Sequence, residues 1–304
     1  MIRLAAGISF FDLELQHKPH VIATAVLHSS GGVALVDPGP SSSLPVLRAV
    51  LARGGIRVKD LTALLLTHIH LDHAGATGTL VQENPGLRVY VHAKGAPHLI
   101  NPEKLLASAG RLYGDAMGSL WGEVRRVPEK NLVVLEGAER IEEGGRLLDV
   151  AYTPGHASHH VSYFVRDAGV AFVGDIGGVK LTPQGDVLPP TPPPDIDLEA
   201  WRDSLHCLER WQPESLFLTH FGPAAPVGPH FDRLRENLEA LSSLVQASLA
   251  RAGTDAEREA WFTAECHRRL RQRMAESDVP TYEMAGRFDL NWRGLARYWR
   301  KRVV

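Results

Sequence analysis

Cysteine is almost absent from this chain, which carries only Cys207 and Cys266, both in segments of helical periodicity. Two scattered thiols give no disulfide framework and weigh against a thiolate metal ligand; they read as buried or idle side chains. Long apolar runs are missing as well. No segment reaches the roughly 18 apolar residues of a membrane span, and Met1-Ile2-Arg3-Leu4 does not begin the continuous apolar stretch of a signal peptide. A cytoplasmic protein without a membrane partner is expected. Charge of one sign is lacking too: 33 Lys and Arg against 35 Asp and Glu leave a formal net charge of −2, so there is no electrostatic signature of nucleic-acid binding. The nucleophile elbow of serine hydrolases, the phosphate loop of nucleotidases and the glycine fingerprint of dinucleotide enzymes do not occur in a suitable setting.

What the chain does have is a dense group of potential ligands in Thr67-His68-Ile69-His70-Leu71-Asp72-His73-Ala74-Gly75. It follows the apolar run Leu61 to Leu66, which reads as a buried strand delivering its C-terminal loop to a site. Neutral imidazole suits a borderline divalent ion, and a carboxylate adds negative charge. Alternation places His68 and His70 on one side of an extended segment while Asp72 and His73 follow as the chain turns. That geometry suits two adjacent metal ions better than one. Gly75 is expected to turn the backbone tightly into a helix over Ala76 to Gln82.

The motif T-H-x-H-x-D-H-A-G resembles that of the metallo-β-lactamase-fold hydrolases. Later segments match the remaining motifs of that family in order: Thr153-Pro154-Gly155-His156, Phe172-Val173-Gly174-Asp175 and Leu218-Thr219-His220-Phe221-Gly222. The resemblance implies an α/β fold, a four-layer αβ/βα sandwich of two mixed β-sheets flanked by helices, with a C-terminal helical extension. It implies a catalytic domain over residues 1–222 and the extension over 223–304. By carry-over, His68, His70 and His156 hold one metal and Asp72, His73 and His220 the other, with Asp175 shared. Asp37, in Asp37-Pro38-Gly39, either orients a ligand histidine from behind or shapes a turn. The resemblance further implies two divalent ions, zinc by ligand type with iron or manganese tolerated. It points to a binuclear hydrolase that attacks an ester, thioester or lactone of a small molecule with a metal-bridging hydroxide, Asp72 orienting the attacking water. A mononuclear iron dioxygenase acting on persulfides and a metal-binding scaffold without activity are the rival readings.

At 304 residues with 44% hydrophobic side chains, the chain can bury one large α/β domain and an appendage. Strands are expected at Ile2 to Leu15, His20 to Leu27 and, after a hairpin turn at Ser29 to Gly32, Val33 to Val36. Further strands are expected at Leu87 to His92, Leu132 to Leu135, Arg146 to Tyr152, Val161 to Val165, Val170 to Val173 and Ser215 to Leu218. Helices are expected at Ser43 to Arg53 and at Leu198 to Trp211, the latter capped by Asp197. His92 and His98 read as packing or surface residues, and His159 and His160 as lying behind the site or in solvent. Residues 101–128 read as a loose, partly helical insertion, either a pocket wall or lid or plain packing. The proline-rich Leu188 to Asp195 reads as a stiff loop running past the site mouth. Beyond Gly222, helical patterns at Phe231 to Arg251 and Asp255 to Met274 precede the stripe Trp292, Leu295 and Trp299. The stripe must be buried, and residues Tyr282 to Arg302 that carry it are expected to pack against the catalytic domain near the pocket rim, with a homodimer contact as a compatible role.

Overall fold

The computed structural model describes residues 1–302. Two sheets face each other. The first runs, in spatial order, β1 (Ile2–Ala5), β2 (Ile8–Asp12), β3 (Ala23–Ser29), β4 (Gly32–Val36), β5 (Leu61–Leu65), β6 (Arg88–His92) and β7 (Leu132–Leu135). The second comprises β8 (Arg140–Glu143), β9 (Arg146–Tyr152), β10 (Val161–Val165), β11 (Val170–Phe172), β12 (Ser215–Leu218) and β13 (Gly222–Ala224), arranged in the reverse of chain order. Both are mixed: β4 to β7 pair in parallel beside an antiparallel β1 to β4, and β11 pairs in parallel with β12.

Alternation along the strands explains the layering. In β10 and β11, Val161, Tyr163, Val165, Val170 and Phe172 point between the sheets, whereas Phe164 and Ala171 point outward. Helices α1 (Leu44–Arg53), α2 (Leu71–Ala74), α3 (Thr77–Glu83), α4 (Ala96–Ile100), α5 (Glu103–Tyr113) and α6 (Met117–Trp121) lie on the side of the first sheet. Helices α7 (Leu198–Arg210), α8 (Val227–Leu249), α9 (Asp255–Arg273), α10 (Val279–Gly286) and α11 (Phe288–Arg300) cover the second. Three apolar clusters between four layers of structure, helix, sheet, sheet and helix, are what a helix stripe and a two-faced sheet require. Among the described residues, no helix is long and apolar enough to cross a membrane.

Several expectations shift in detail. The first predicted strand is two strands broken by a turn at Ala6-Gly7. β8 escapes the sequence pattern because Arg140-Ile141-Glu142-Glu143 is a polar edge strand, whose Glu143 is buried against the Tyr90 hydroxyl and Arg88. β13 extends the second sheet past Gly222, and the helices after it share one apolar cluster with that sheet. In α11, Trp292 and Leu295 are buried and Trp299 partly so; the two indoles donate to Ser248 at 2.7 Å and Ser242 at 3.2 Å on α8.

α11 also clamps the proline-rich loop. The Asn291 side chain accepts from the Thr191 amide at 2.7 Å and donates to the Gly286 carbonyl at 2.8 Å. A side chain at Gly294 would collide with the Thr191 carbonyl, so the helix backbone rests directly on the loop.

Candidate metal centre

The C-terminal ends of β5, β9, β11 and β12 open on one edge of the sandwich and bring the motif residues together. Two groups form: His68, His70, His156 and Asp175, and Asp72, His73 and His220; within each, the ligand atoms lie within 4.8 Å of one another. His68, His73, His156 and Asp175 are buried, while Asp72, with 24% of its side chain exposed, faces the cleft.

The outer ring nitrogens are fixed by what surrounds them. His73 Nδ1 donates to Asp37 at 2.8 Å, His156 Nδ1 to the Pro190 carbonyl at 2.8 Å and His220 Nδ1 to the Val21 carbonyl at 2.7 Å. The Thr67 hydroxyl donates to Asp37 at 2.7 Å, so its oxygen is left to accept from His68 Nδ1 at 3.1 Å. Four rings are therefore held with Nε2 turned inward and free to coordinate, the arrangement that carboxylate and carbonyl partners impose on metal-binding histidines. His70 instead turns Nδ1 inward, 3.0 Å from His68 Nε2 and 2.9 Å from His156 Nε2.

Asp37 is the hub, completely buried in a left-handed conformation with φ of 49°. Besides His73 and the Thr67 hydroxyl, it accepts from the Thr67 amide and the Thr219 hydroxyl, both at 2.8 Å. It holds the His73 ring and ties the turn after β4 to the segments that carry His68 and His220. Gly75 differs from expectation. Its φ of −57° is ordinary helix, and glycine is needed because a side chain would strike the Leu71 carbonyl and the Pro40 backbone.

The electrostatics describe a site prepared for positive charge. Burial, with the charges of His73, His70 and His156, holds His68 neutral far below its usual range. Burial and His156 push His70 down to about 4. Burial opposes ionisation of Asp72 and Asp175, yet facing histidines prevail and hold Asp72 at about 2 and Asp175 well below the carboxylate range. Burial also opposes charge on His73, but Asp175, Asp72 and Asp37 draw a proton onto it. His73 Nε2 and Asp175 Oδ1 are buried without a hydrogen-bond partner. Inward-facing ring nitrogens, ionised carboxylates and orphaned inward atoms, with His73 drawing positive charge to the same spot, fit divalent cations in both groups.

Asp175 decides how the groups are related. Its Oδ1 lies 3.2 Å from His73 Nε2 and 3.6 Å from His220 Nε2, while its Oδ2 lies 3.3 Å from His156 Nε2. One carboxylate addresses both groups.

Comparison with known proteins agrees with this geometry: the sequence model of the metallo-beta-lactamase superfamily matches residues 18–220. The chain belongs to the metallo-beta-lactamase superfamily. A metallo-beta-lactamase fold-containing protein of Sulfurisphaera tokodaii is 28% identical over 211 residues, 68% of this chain and 76% of that protein. A hydroxyacylglutathione hydrolase of Synechococcus is 30% identical over 142 residues, which is 47% of this chain and 42% of the relative. Among solved structures, a metallo-beta-lactamase family protein of Thermus thermophilus superposes with a TM-score of 0.76 over 99% of this chain and 95% of its own, at 22% identity. That likeness extends the shared fold through the C-terminal helices.

Beside the two histidine groups opens a cleft of about 410 Å3, lined by His70, Asp72, His156, Asp175 and His220 at its base. Its walls come from the insertion (Leu105, Leu112, Tyr113, Trp121), from the proline-rich loop and from Arg287 and Leu290. The insertion is a pocket wall, as one of its two readings had it, and the tail reaches the rim. His159 and His160 are buried, not in solvent, and His98 lines the cleft. His92 stacks on Tyr152 with ring centres 4.4 Å apart. Sequence reasoning missed the hydroxyls of Thr67 and Thr219. The signal was present, since a threonine precedes the histidine in both Thr67-His68 and Thr219-His220.

Proposed function

We propose that this chain is a binuclear metal-dependent hydrolase of an ester, thioester or lactone. The observation that carries the reading is the two-sided placement of Asp175, one oxygen toward each histidine group. His68, His70 and His156 would hold one ion, Asp72, His73 and His220 the other, with Asp175 contributing to both. Zinc fits the nitrogen-rich donor set best, and iron or manganese accepts the same ligands. When bound, a pair of such cations lowers the pKa of water toward about 7 and polarises the scissile carbonyl.

The chain's own residues position and shield. Asp72 stands at the cleft base, where its carboxylate accepts a hydrogen bond from the attacking water and aims it. Asp37, Pro190 and Val21 keep the rings from turning. Leu71, Leu105, Leu112 and Trp121 hold an acyl chain and exclude bulk water. A new bond forms between the water oxygen and the acyl carbon, and the alcohol, thiol or ring oxygen leaves with a proton.

The complete second group, Asp72, His73 and His220, favours this reading over a mononuclear iron dioxygenase. The relative described as a hydroxyacylglutathione hydrolase supports a thioester substrate. Against glutathione itself stands the segment after Asp175, Ile176-Gly177-Gly178-Val179-Lys180, which lacks the Gly-Cys-Gly of glyoxalase II. Elemental analysis of anaerobically reconstituted protein should return a metal ratio near two, and an ester, thioester and lactone panel should show turnover that a chelator abolishes. A saturating ratio of one, with His73 and His220 dispensable, overturns the binuclear reading.

A further inference from the structure

The cleft is lopsided in charge. Apart from Asp72 and Asp175, its lining carries a single carboxylate, Asp195, which already accepts from the Ser158 hydroxyl at 2.6 Å. Opposed to it are Lys94, Lys104, Arg111 and Arg287. Asp289 neutralises Arg287 at 2.8 Å, and the Lys94 ammonium is turned to the Tyr152 hydroxyl at 2.8 Å. Lys104 and Arg111 have neither an ion-pair nor a hydrogen-bond partner among the described residues. Both stand on α5, seven positions apart and so on one helix face, with Ser108 between them and Leu105 and Leu112 beside them. His159, 8% exposed, lines the same cleft with its Nδ1 buried and unpartnered. The whole chain is slightly acidic, with a net charge of −2, so the cationic wall is local.

We infer that the substrate carries an anionic group, a carboxylate or like oxyanion, which Lys104 and Arg111 receive while the apolar strip of α5 holds the chain between that group and the scissile bond. The inference rests on the hydrolase reading and narrows its substrate. A cleft of about 410 Å3 accommodates an acyl chain of several carbons together with both ends. A wall of one sign concentrates oppositely charged substrate, an effect that weakens as salt rises.

Monomethyl adipate and dimethyl adipate differ only in one charged end and test this directly. The metal-loaded full chain should hydrolyse the monoanion with about tenfold higher kcat/KM at low ionic strength, the advantage shrinking at high salt. The double variant Lys104→Glu/Arg111→Glu should erase or invert the ratio, whereas Lys130→Glu, outside the cleft, should leave it unchanged. Metal content and melting temperature report that each variant is folded. Equal turnover of the two esters, or an unaltered ratio in the double variant, overturns the inference and leaves the hydrolase reading intact. If neither ester is cleaved, calorimetry with adipamic acid and adipamide decides the inference separately. Tighter binding of the acid that the double variant abolishes sustains it, and equal affinities overturn it.

Discussion

Replacing Asp37 by Asn tests whether the metal centre is set from behind. Asn keeps the shape and tolerates the left-handed backbone at this position. The Thr67 amide demands an acceptor, so the new amide oxygen takes the Oδ1 place and the NH2 falls where His73 Nδ1 and the hydroxyls of Thr67 and Thr219 converge. Hydroxyls can rotate to accept. The imidazole can accept at Nδ1 only by moving its proton to Nε2, the atom that faces Asp175 at 3.2 Å. Loss of such a supporting bond weakens metal binding by about 10- to 100-fold, or roughly 1.4 to 3 kcal/mol. Dialysis against graded metal buffers, followed by elemental analysis, should therefore show one of two metal equivalents leaving early while the other is released as in wild type. Asp37→Ala should also cost about 3–5 kcal/mol of stability, because several buried donors lose a charged acceptor together. An Asn variant that releases both equivalents as wild type does would refute the argument that Asp37 fixes the His73 tautomer.

Other perturbations follow from the same geometry. Asp175→Ala should lower both metal affinity and turnover, while Asp72→Ala should cut turnover more than it loosens the first ion; wild-type hydrolysis by both would count against the mechanism. Asn291→Ala leaves the buried Thr191 amide without its acceptor and should cost about 1–3 kcal/mol in a denaturant titration, with a raised KM from a slackened loop; unchanged values would show that the loop is held elsewhere. Burial pushes His230 down to about 4, although its bond to the Gly177 carbonyl resists this. Because the unfolded ring titrates near 6.5, the unfolded chain binds the extra proton first, so this contribution is complete above pH 6.5 and lost as pH falls toward 4. Over that window wild type should lose about 3 kcal/mol more than His230→Gln; parallel curves for the two would remove His230 as a source of acid sensitivity.

Most of the strands and the motif residues gathered at their ends were legible because they depend on local pattern. Leu61 to Leu65 is apolar and short, and each motif histidine or aspartate follows such a run. What stayed hidden depends on contacts remote in sequence. The partner of His220 Nδ1 is a carbonyl at Val21, 199 residues away, and a carbonyl leaves no trace in residue type. The same holds for Pro190 behind His156. The insertion was ambiguous because a helix that lines a cleft and one that lines a core share an apolar stripe. The choice for His159 and His160 between a place behind the site and one in solvent stayed open because a polar residue is enclosed only by what folds over it, here the rings of His68, His70 and His156.

The clamp of α11 on the proline-rich loop bears on the order in which the site can be assembled during synthesis. The first four ligands are made early, between residues 68 and 73, but His220 follows about 150 residues later and the Asn291 that secures the loop behind His156 later still. At about 5–20 residues per second, a growing chain carries an open half-site for about 7 to 30 seconds before the last ring arrives. Cations captured in that interval would be held by fewer ligands and exchange readily. Selection of the final metal then belongs to the finished protein, after the tail has closed on the loop.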